Sequence, residues 1–276
     1  MEIRYAKGHT GGNDFLLLLD QDARIELTAA AVRAICDRFT GLGADGILRL
    51  VPVESTDSAA AWFMDCRNAD GSASPMCGTG FGLSALYLVD QRRTEPGEVW
   101  IATPGGTTRA FVDGDAVSVE LRSPRFLDTA KASVDGVGYD GEIVALGNTH
   151  LVCVIDTPVA ELDLSRRPEF DQDRFGADLD VTFVNEIGPD RIAVRVHQAG
   201  IGADRSCATA VCAAAGVVRR LGGALPAKTT QVDAVGGTVQ VEFTAERTRF
   251  SSTAALVAQG VVNQRWLDRL ATAAAR

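Results

Sequence analysis

The sequence predicts an α/β protein built as two similar lobes. One series of features runs through the chain twice in the same order. Each series ends at a cysteine set just before a run of small residues that should open a helix. The first stretch reads Asn68-Ala-Asp-Gly-Ser-Ala-Ser-Pro-Met-Cys77-Gly-Thr-Gly80, and the second His197-Gln-Ala-Gly-Ile-Gly-Ala-Asp-Arg-Ser-Cys207-Ala-Thr-Ala210. Asn13 lies 64 positions before Cys77, and Asn148 lies 59 before Cys207.

The elements follow in order. Gly12-Asn13 feeds the apolar run 16–19, and Gly147-Asn148 feeds 151–155; each reads as a loop entering a buried strand. A helix is expected over 28–39, with Thr28 as its N-cap. Asp37-Arg38-Phe39 and Asp173-Arg174-Phe175 each lead to a Gly-Ala-Asp and another apolar strand. Strands at 61–64 and 191–196 then approach the two cysteines. The runs 80–89 and 208–221 read as buried helices, the second rich in Ala and Val. Strands at 99–102, 107–112 and 116–121 are mirrored by 231–232, 238–243 and 254–257. A last helix is expected over 264–275. Pro124, Gly136 and Gly138 mark 123–140 as the lobe boundary. The expected division is a lobe 1–125 carrying Cys77 and a lobe 126–261 carrying Cys207, with the helix 262–276 packing back on the first.

The 276 residues, 46% of them hydrophobic, suffice for sizeable cores and argue against global disorder. A net charge of -9 argues against nucleic acid or an anionic membrane as the main partner. No apolar run approaches the ~20 residues of a membrane span, and the first ten residues lack a signal-peptide core. A cytoplasmic protein is expected. Its six cysteines then read as free thiols. The chain has no C-x-x-C, and its histidines at 9, 150 and 197 have no H-x-x-x-H spacing, so no metal is expected. His9 and His197 read as structural or loop residues, and Cys36, Cys66, Cys153 and Cys212 as inert small hydrophobes.

The paired cysteines carry the chemistry. A thiol at a helix mouth is more acidic, because N–H groups without helical partners and the helix dipole favour the thiolate. Two such thiols on opposite faces of one carbon could take a proton from one side and return one on the other. That is epimerisation or racemisation with neither metal nor organic cofactor.

These residues reach a family. The chain resembles diaminopimelate epimerases over nearly its whole length, in order: Lys7-Gly-His9 with Gly12-Asn13-Asp-Phe15, Asn68-Ala-Asp-Gly-Ser72, Cys77-Gly-Thr-Gly80, Gly147-Asn148-Thr-His150, Asn185 after a strand, and Gly200-Ile-Gly202 ahead of Cys207. The resemblance implies two pseudosymmetric α/β (α+β) lobes, each a mixed, mainly antiparallel sheet wrapped around a central helix, and work without pyridoxal phosphate. It implies Cys77 and Cys207 as the acid/base pair. Amides around Gly78-Thr79 and Ala208-Thr209 would bind the α-carboxylate, and Asn13, Asn68, Asn148 and Asn185 would hold the substrate. His150 matches a histidine that polarises the first cysteine; on spacing alone it would be a structural histidine. The asparagines, Asn68 above all, also read as turn residues.

The departures bear on substrate. Gln198-Ala199 stand where the family has Glu-Arg ahead of the second cysteine. The arginine grips the distal carboxylate of diaminopimelate, and the glutamate meets the distal amino group and serves the second thiol. Ala199 cannot form a bidentate carboxylate pair, and Gln198 cannot take a proton. Gly202-Ala203-Asp204 replaces Gly-Glu-Thr, Thr79 replaces an asparagine, Thr149 a proline, and Ala208 and Ala210 replace glycines. Asp204 is either a solvated loop charge or a substitute for the carboxylate missing at Gln198.

The expected function is therefore a cofactor-independent amino-acid epimerase or racemase acting on a small amino-acid-like substrate other than diaminopimelate. Diaminopimelate epimerase itself is the runner-up. An isomerase of a natural-product intermediate and a non-catalytic small-molecule-binding paralogue complete the set. No nucleic-acid or membrane partner is expected, and a homodimer is left open.

Overall fold

The computed structural model describes residues 2–53, 59–74, 76–176, 178–199, 201–204, 207–222, 229–244, 246–267 and 269. The chain divides into two compact units, 1–119 with 253–276, and 120–252.

The first unit contains β1 (Arg4–Thr10), β2 (Asn13–Leu19), α1 (Ala29–Cys36), β3 (Gly46–Pro52), β4 (Trp62–Asn68), β5 (Ala73–Ser74), α2 (Gly78–Asp90), β6 (Gly97–Thr103), β7 (Gly106–Asp113) and the start of β8 (Ala116–Arg122). The second contains β9 (Arg125–Val134), β10 (Val137–Leu146), β11 (Asn148–Val154), β12 (Glu169–Phe170), α3 (Gln172–Phe175), β13 (Asp180–Gly188), β14 (Arg191–Gln198), β15 (Gly202–Asp204), α4 (Ala208–Leu221), β16 (Thr229–Ala234) and β17 (Gly237–Phe243). β18 (Arg247–Val261) begins in the second unit and ends in the first.

In the first unit β1 pairs antiparallel with β2 and with the end of β18. β2 and β3 are parallel, β3 and β4 antiparallel, and β4 pairs parallel with β6. β6, β7 and β8 form an antiparallel meander, and β8 pairs with β18. These pairings close a ring, and α2 packs against β1, β2, β3, β4, β6 and β7. A helix surrounded by strands must be apolar on every side. Accordingly Phe81, Leu83, Ala85 and Leu88 are all fully buried. Gly82 permits the close fit, since a Cβ there would lie 3.1 Å from the nearest Val117 methyl and 3.3 Å from that of Val119.

The second unit repeats this order of pairings. β10 is antiparallel to β11, β11 parallel to β13, β13 antiparallel to β14, β14 parallel to β16, and β16 antiparallel to β17. α4 packs against β10, β11, β13, β14, β16 and β17. Parallel neighbours need a crossover connection. α1 lies in the first crossover of the first unit, and α3, with a 3-10 turn at Val159–Glu161, in that of the second. α2 and α4 lie in the second crossovers. The fold is thus a pair of mixed, mainly antiparallel sheets, each around one central helix, as the resemblance implies.

Several details differ from expectation. α1 has the expected cap, Thr28 Oγ1 accepting the Ala31 N–H at 3.2 Å, but it ends at Cys36 rather than residue 39. Asp37 stops it: its carboxylate accepts the N–H groups of Phe39 (2.9 Å) and Thr40 (2.6 Å), which a longer helix would need. The segment 123–140, expected at the lobe boundary, lies next to the division between the units at 119/120 and is itself regular structure. It forms most of the β9–β10 hairpin, which turns at Asp135-Gly136 with φ of 50° and 81°. β18 runs 15 residues where only 254–257 was expected. Of the C-terminal helix, 264–267 are helical, with Trp266 and Leu267 packed on the cluster of Ile3, Leu16, Ile35 and Ile47. Residues 268 and 270–276 lie outside the described residues.

Candidate active site

Within the first unit, Cys77 is the N-cap of α2, with extended backbone (φ −130°, ψ 101°). Its Sγ accepts the Gly80 N–H at 3.3 Å and lies 3.5 Å from Thr79 Oγ1. The sulfur is half-buried, while Gly78 and Thr79 are buried in the first helical turn. Asn13 opens β2 and is buried. Asn68 closes β4 and is held in a turn, its side-chain nitrogen donating to Ser72 Oγ at 3.0 Å and its N–H to Ser72 O at 2.9 Å. Behind Asn13 a charge network fixes the 37–45 loop. Asp14 receives Lys7 (3.1 Å) and Arg38 (2.7 Å), and Arg38 also reaches Asp45 (2.6 Å). Burial opposes the Asp14 charge, but Arg38 and Lys7 outweigh it and hold its carboxyl below the usual carboxylate range. Burial and the neighbouring Asp14 push Asp45 the other way.

Within the second unit, Cys207 is the N-cap of α4, also extended (φ −101°, ψ 117°). It is buried, with Sγ 3.2 Å from Thr209 Oγ1. Ala208 and Thr209 form the buried first turn. Asn148 opens β11, and His150, two residues on, pairs across the ladder with Asp180 at the start of β13. The Asp180 carboxylate is the organising group: it accepts the Ala199 N–H at 2.8 Å and lies 3.5 Å from the Asn148 amide nitrogen and 3.7 Å from His150 Nδ1. Gln198 ends β14 beside that anchored backbone. The His150 ring is fully buried, and neither ring nitrogen has a hydrogen-bond partner among the described residues. The 3.7 Å separation is too long for a hydrogen bond to Asp180. Burial therefore governs, lowering the His150 pKa to about 4 and leaving the ring neutral at pH 7.

Asp180 escaped the sequence reading. Its only signal was a single carboxylate inside the apolar stretch Leu179-Asp-Val-Thr-Phe183. Asn185, by contrast, stands apart from the other candidates. Its oxygen accepts the Val159 N–H at 2.6 Å, and its nitrogen donates to Ile155 O (2.7 Å) and Thr157 O (2.9 Å). That amide ties down the 155–159 crossover. Gly200 and the Asp204 side chain fall outside the described residues. Burial raises Cys36 and Cys153 to about 12, as suits inert thiols.

Each unit thus sets a thiol against the first turn of its central helix, with a threonine hydroxyl beside the sulfur. Such a mouth can hold a thiolate or accept a carboxylate. The sequence profile described as diaminopimelate epimerase matches residues 5–127 and 143–260. The chain belongs to the diaminopimelate epimerase family. It is an isomerase of that family, whose members act on small amino-acid substrates. The Acidothermus cellulolyticus diaminopimelate epimerase is 36% identical, over 97% of this chain and 98% of that relative. The Rhodococcus opacus diaminopimelate epimerase is 36% identical over 96% and 99%. Among solved structures, a hydroxyproline epimerase from Agrobacterium vitis superposes with a TM-score of 0.73 at 14% identity, covering 95% of this chain and 92% of that one. A Bacillus anthracis phenazine biosynthesis protein of the PhzF family superposes at 0.70 and 16%, covering 95% and 99%. At those identities the likeness is one of fold. No helix among the described residues is long and apolar enough to cross a membrane.

Proposed function

We propose that this isomerase inverts the α-carbon of an amino acid without a cofactor. One of Cys77 and Cys207 removes the α-proton as thiolate, and the other, as thiol, delivers a proton to the opposite face. The observation that carries this reading is the equivalence of the two cysteines. Each is the N-cap of the central helix of its unit, at the same point of a repeated topology. An α-proton is a very weak acid, so negative charge developing in the transition state needs preorganised donors. The first-turn amides at Gly78-Thr79 and Ala208-Thr209 supply them to the α-carboxylate, with the helix dipole behind them. Asn13, Asn68 and Asn148 hold the amino-acid head. His150, neutral and buried, acts as a hydrogen-bonding group, since a pKa of about 4 makes it a poor base at pH 7.

The substrate is an amino acid other than diaminopimelate. Ala199 offers a methyl where the family's arginine would grip a distal carboxylate, and its N–H is taken by the buried Asp180 carboxylate. A second carboxylate brought there would meet like charge in place of a cation. The specific support for the other reading, diaminopimelate epimerase itself, is the name and 36% identity of the nearly full-length relatives. The experiment is incubation with a panel of L- and D-amino acids and LL-diaminopimelate in D2O, with mass spectrometry for deuterium at Cα. Label in another amino acid, with diaminopimelate turned over at least about 100-fold more slowly, supports the proposal. Diaminopimelate as the best substrate supports the second reading. No label in any amino acid removes both.

A further inference from the structure

The Asp-Arg-Phe that precedes a Gly-Ala-Asp in both halves of the sequence does different work in the two units. In the second unit Arg174 pairs with Asp128 of β9. In the first, Arg38 reaches the residues beside two of the candidate asparagines. Its guanidinium donates to both carboxylate oxygens of Asp14, at 2.7 and 3.2 Å, and to Asp45 at 2.6 Å. Asp14 directly follows Asn13 in β2. Asp45 stands just ahead of β3 and bonds on two sides. Towards β2, its N–H donates to Asp14 O at 2.9 Å, and its carboxylate accepts the Asp14 N–H at 3.1 Å. Towards β4, its carbonyl accepts the N–H of Ala69, the residue after Asn68, at 3.0 Å. Lys7 closes the arrangement from β1, pairing with Asp14 at 3.1 Å and donating to Gly43 O at 2.6 Å. Without a cation between them the two carboxylates would repel each other.

We propose that Arg38 is a positioning residue for Asn13 and Asn68: by bridging Asp14 and Asp45 it fixes the start of β2 and the end of β4, which carry those two asparagines. The inference rests on the reading that both asparagines hold the head of an amino-acid substrate. An isolated, half-exposed ion pair contributes little to stability. Here one rigid guanidinium spans two carboxylates, one of which also holds a backbone N–H, so what it sets is geometry. A substrate hydrogen bond is lost when its partner moves by a fraction of an ångström beyond the usual range, and the two strand ends must therefore keep their spacing.

The test combines amide hydrogen exchange by NMR, without substrate, with steady-state kinetics on the amino acid that the D2O panel identifies. Arg38→Ala should speed exchange of the Asp14 and Ala69 amides about tenfold. It should raise KM about tenfold with kcat within about twofold of the parent, the pattern of binding lost equally from ground and transition states. Arg38→Lys, whose ammonium can donate to both carboxylates, should bring both readouts to within about threefold of the parent. Unchanged exchange or unchanged KM in folded Arg38→Ala overturns the proposal, even if the unfolding midpoint falls, since a merely structural bridge would cost stability alone. An Arg38→Lys variant as impaired as the alanine variant overturns it too. If Arg38→Ala does not fold, Asp45→Asn takes its place. That variant keeps an oxygen for the Asp14 N–H but gives up the charge, so KM should rise several-fold, and an unchanged KM overturns the proposal. A parent that turns over no amino acid removes the epimerase reading, while the exchange rates still decide whether Arg38 holds the two strand ends, and the two fail separately.

Discussion

His150 should make the protein acid-sensitive, by an amount that follows from its burial. The ring is fully buried beside Asp180, and its pKa falls from 6.5 in the free side chain to about 4 in the folded chain. Above pH 6.5 both folded and unfolded forms keep it neutral, and it contributes no pH dependence. Below pH 6.5 the unfolded chain takes up a proton that the folded chain refuses, so stability falls until pH about 4, where the folded form also binds it. That window corresponds to a loss of about 2 kcal/mol between pH 7.5 and 5, and roughly 3 kcal/mol in full. Carboxylates titrate nearby, so the measurement is a difference. Urea unfolding followed by far-UV circular dichroism at pH 7.5, 6 and 5 would compare the parent with His150→Leu, which removes the titration and roughly keeps the volume. The variant should lose about 2 kcal/mol less than the parent over that range. If the parent instead gains stability relative to the variant as the pH falls to 5, an imidazolium–Asp180 pair is forming and the buried-neutral account is wrong. Parallel curves would also refute it.

Other expectations follow from the same geometry. Cys77→Ala and Cys207→Ala should each abolish inversion, measured by chiral chromatography, because one thiol cannot serve both faces of a carbon. Asn185→Ala should lower stability by about 2 kcal/mol through three lost hydrogen bonds, with KM little changed in the folded variant; a large KM increase would return Asn185 to the substrate site. Gly80→Ala should slow Cys77 alkylation several-fold, because the new methyl would meet Leu48 at 2.8 Å and the sulfur at 3.1 Å; an unchanged rate would mean the sheet yields instead. Gln198→Glu with Ala199→Arg should raise diaminopimelate turnover relative to the native substrate, read as a ratio of kcat/KM values.

The sequence made the repeat legible because its markers are local. Gly-Asn before an apolar run and a cysteine before small residues survive in both halves, and the helix at 208–221 has the expected ends because Ala and Val fill every face of a buried helix. The β9–β10 hairpin was hidden because charged and small residues interrupt most of it, Asp128, Lys131, Asp140 and Glu142 among them, and its apolar run, Ile143 to Leu146, comes only at the end of β10. Asn185 shows a limit of motif matching: an asparagine after a strand looks alike whether it binds a ligand or pins a crossover, and only its three backbone partners decide. Asp180 was missed for a related reason: it takes its meaning from neighbours distant in sequence, Ala199 and Asn148.

The central claim, proton removal by one thiol and delivery by another, is tested most directly by where the solvent label goes. A single enantiomer of the substrate found by the panel is incubated in D2O, stopped below about a tenth of conversion, and both enantiomers are isolated and weighed by mass spectrometry. A thiol holds one proton, so the acceptor on the first face can return only the substrate's own hydrogen, while the donor on the other face carries deuterium from solvent. The account predicts one deuterium in nearly every product molecule and almost none in the recovered substrate. Product that retains the original hydrogen, or substrate and product labelled alike from the start, would indicate a single base and contradict it.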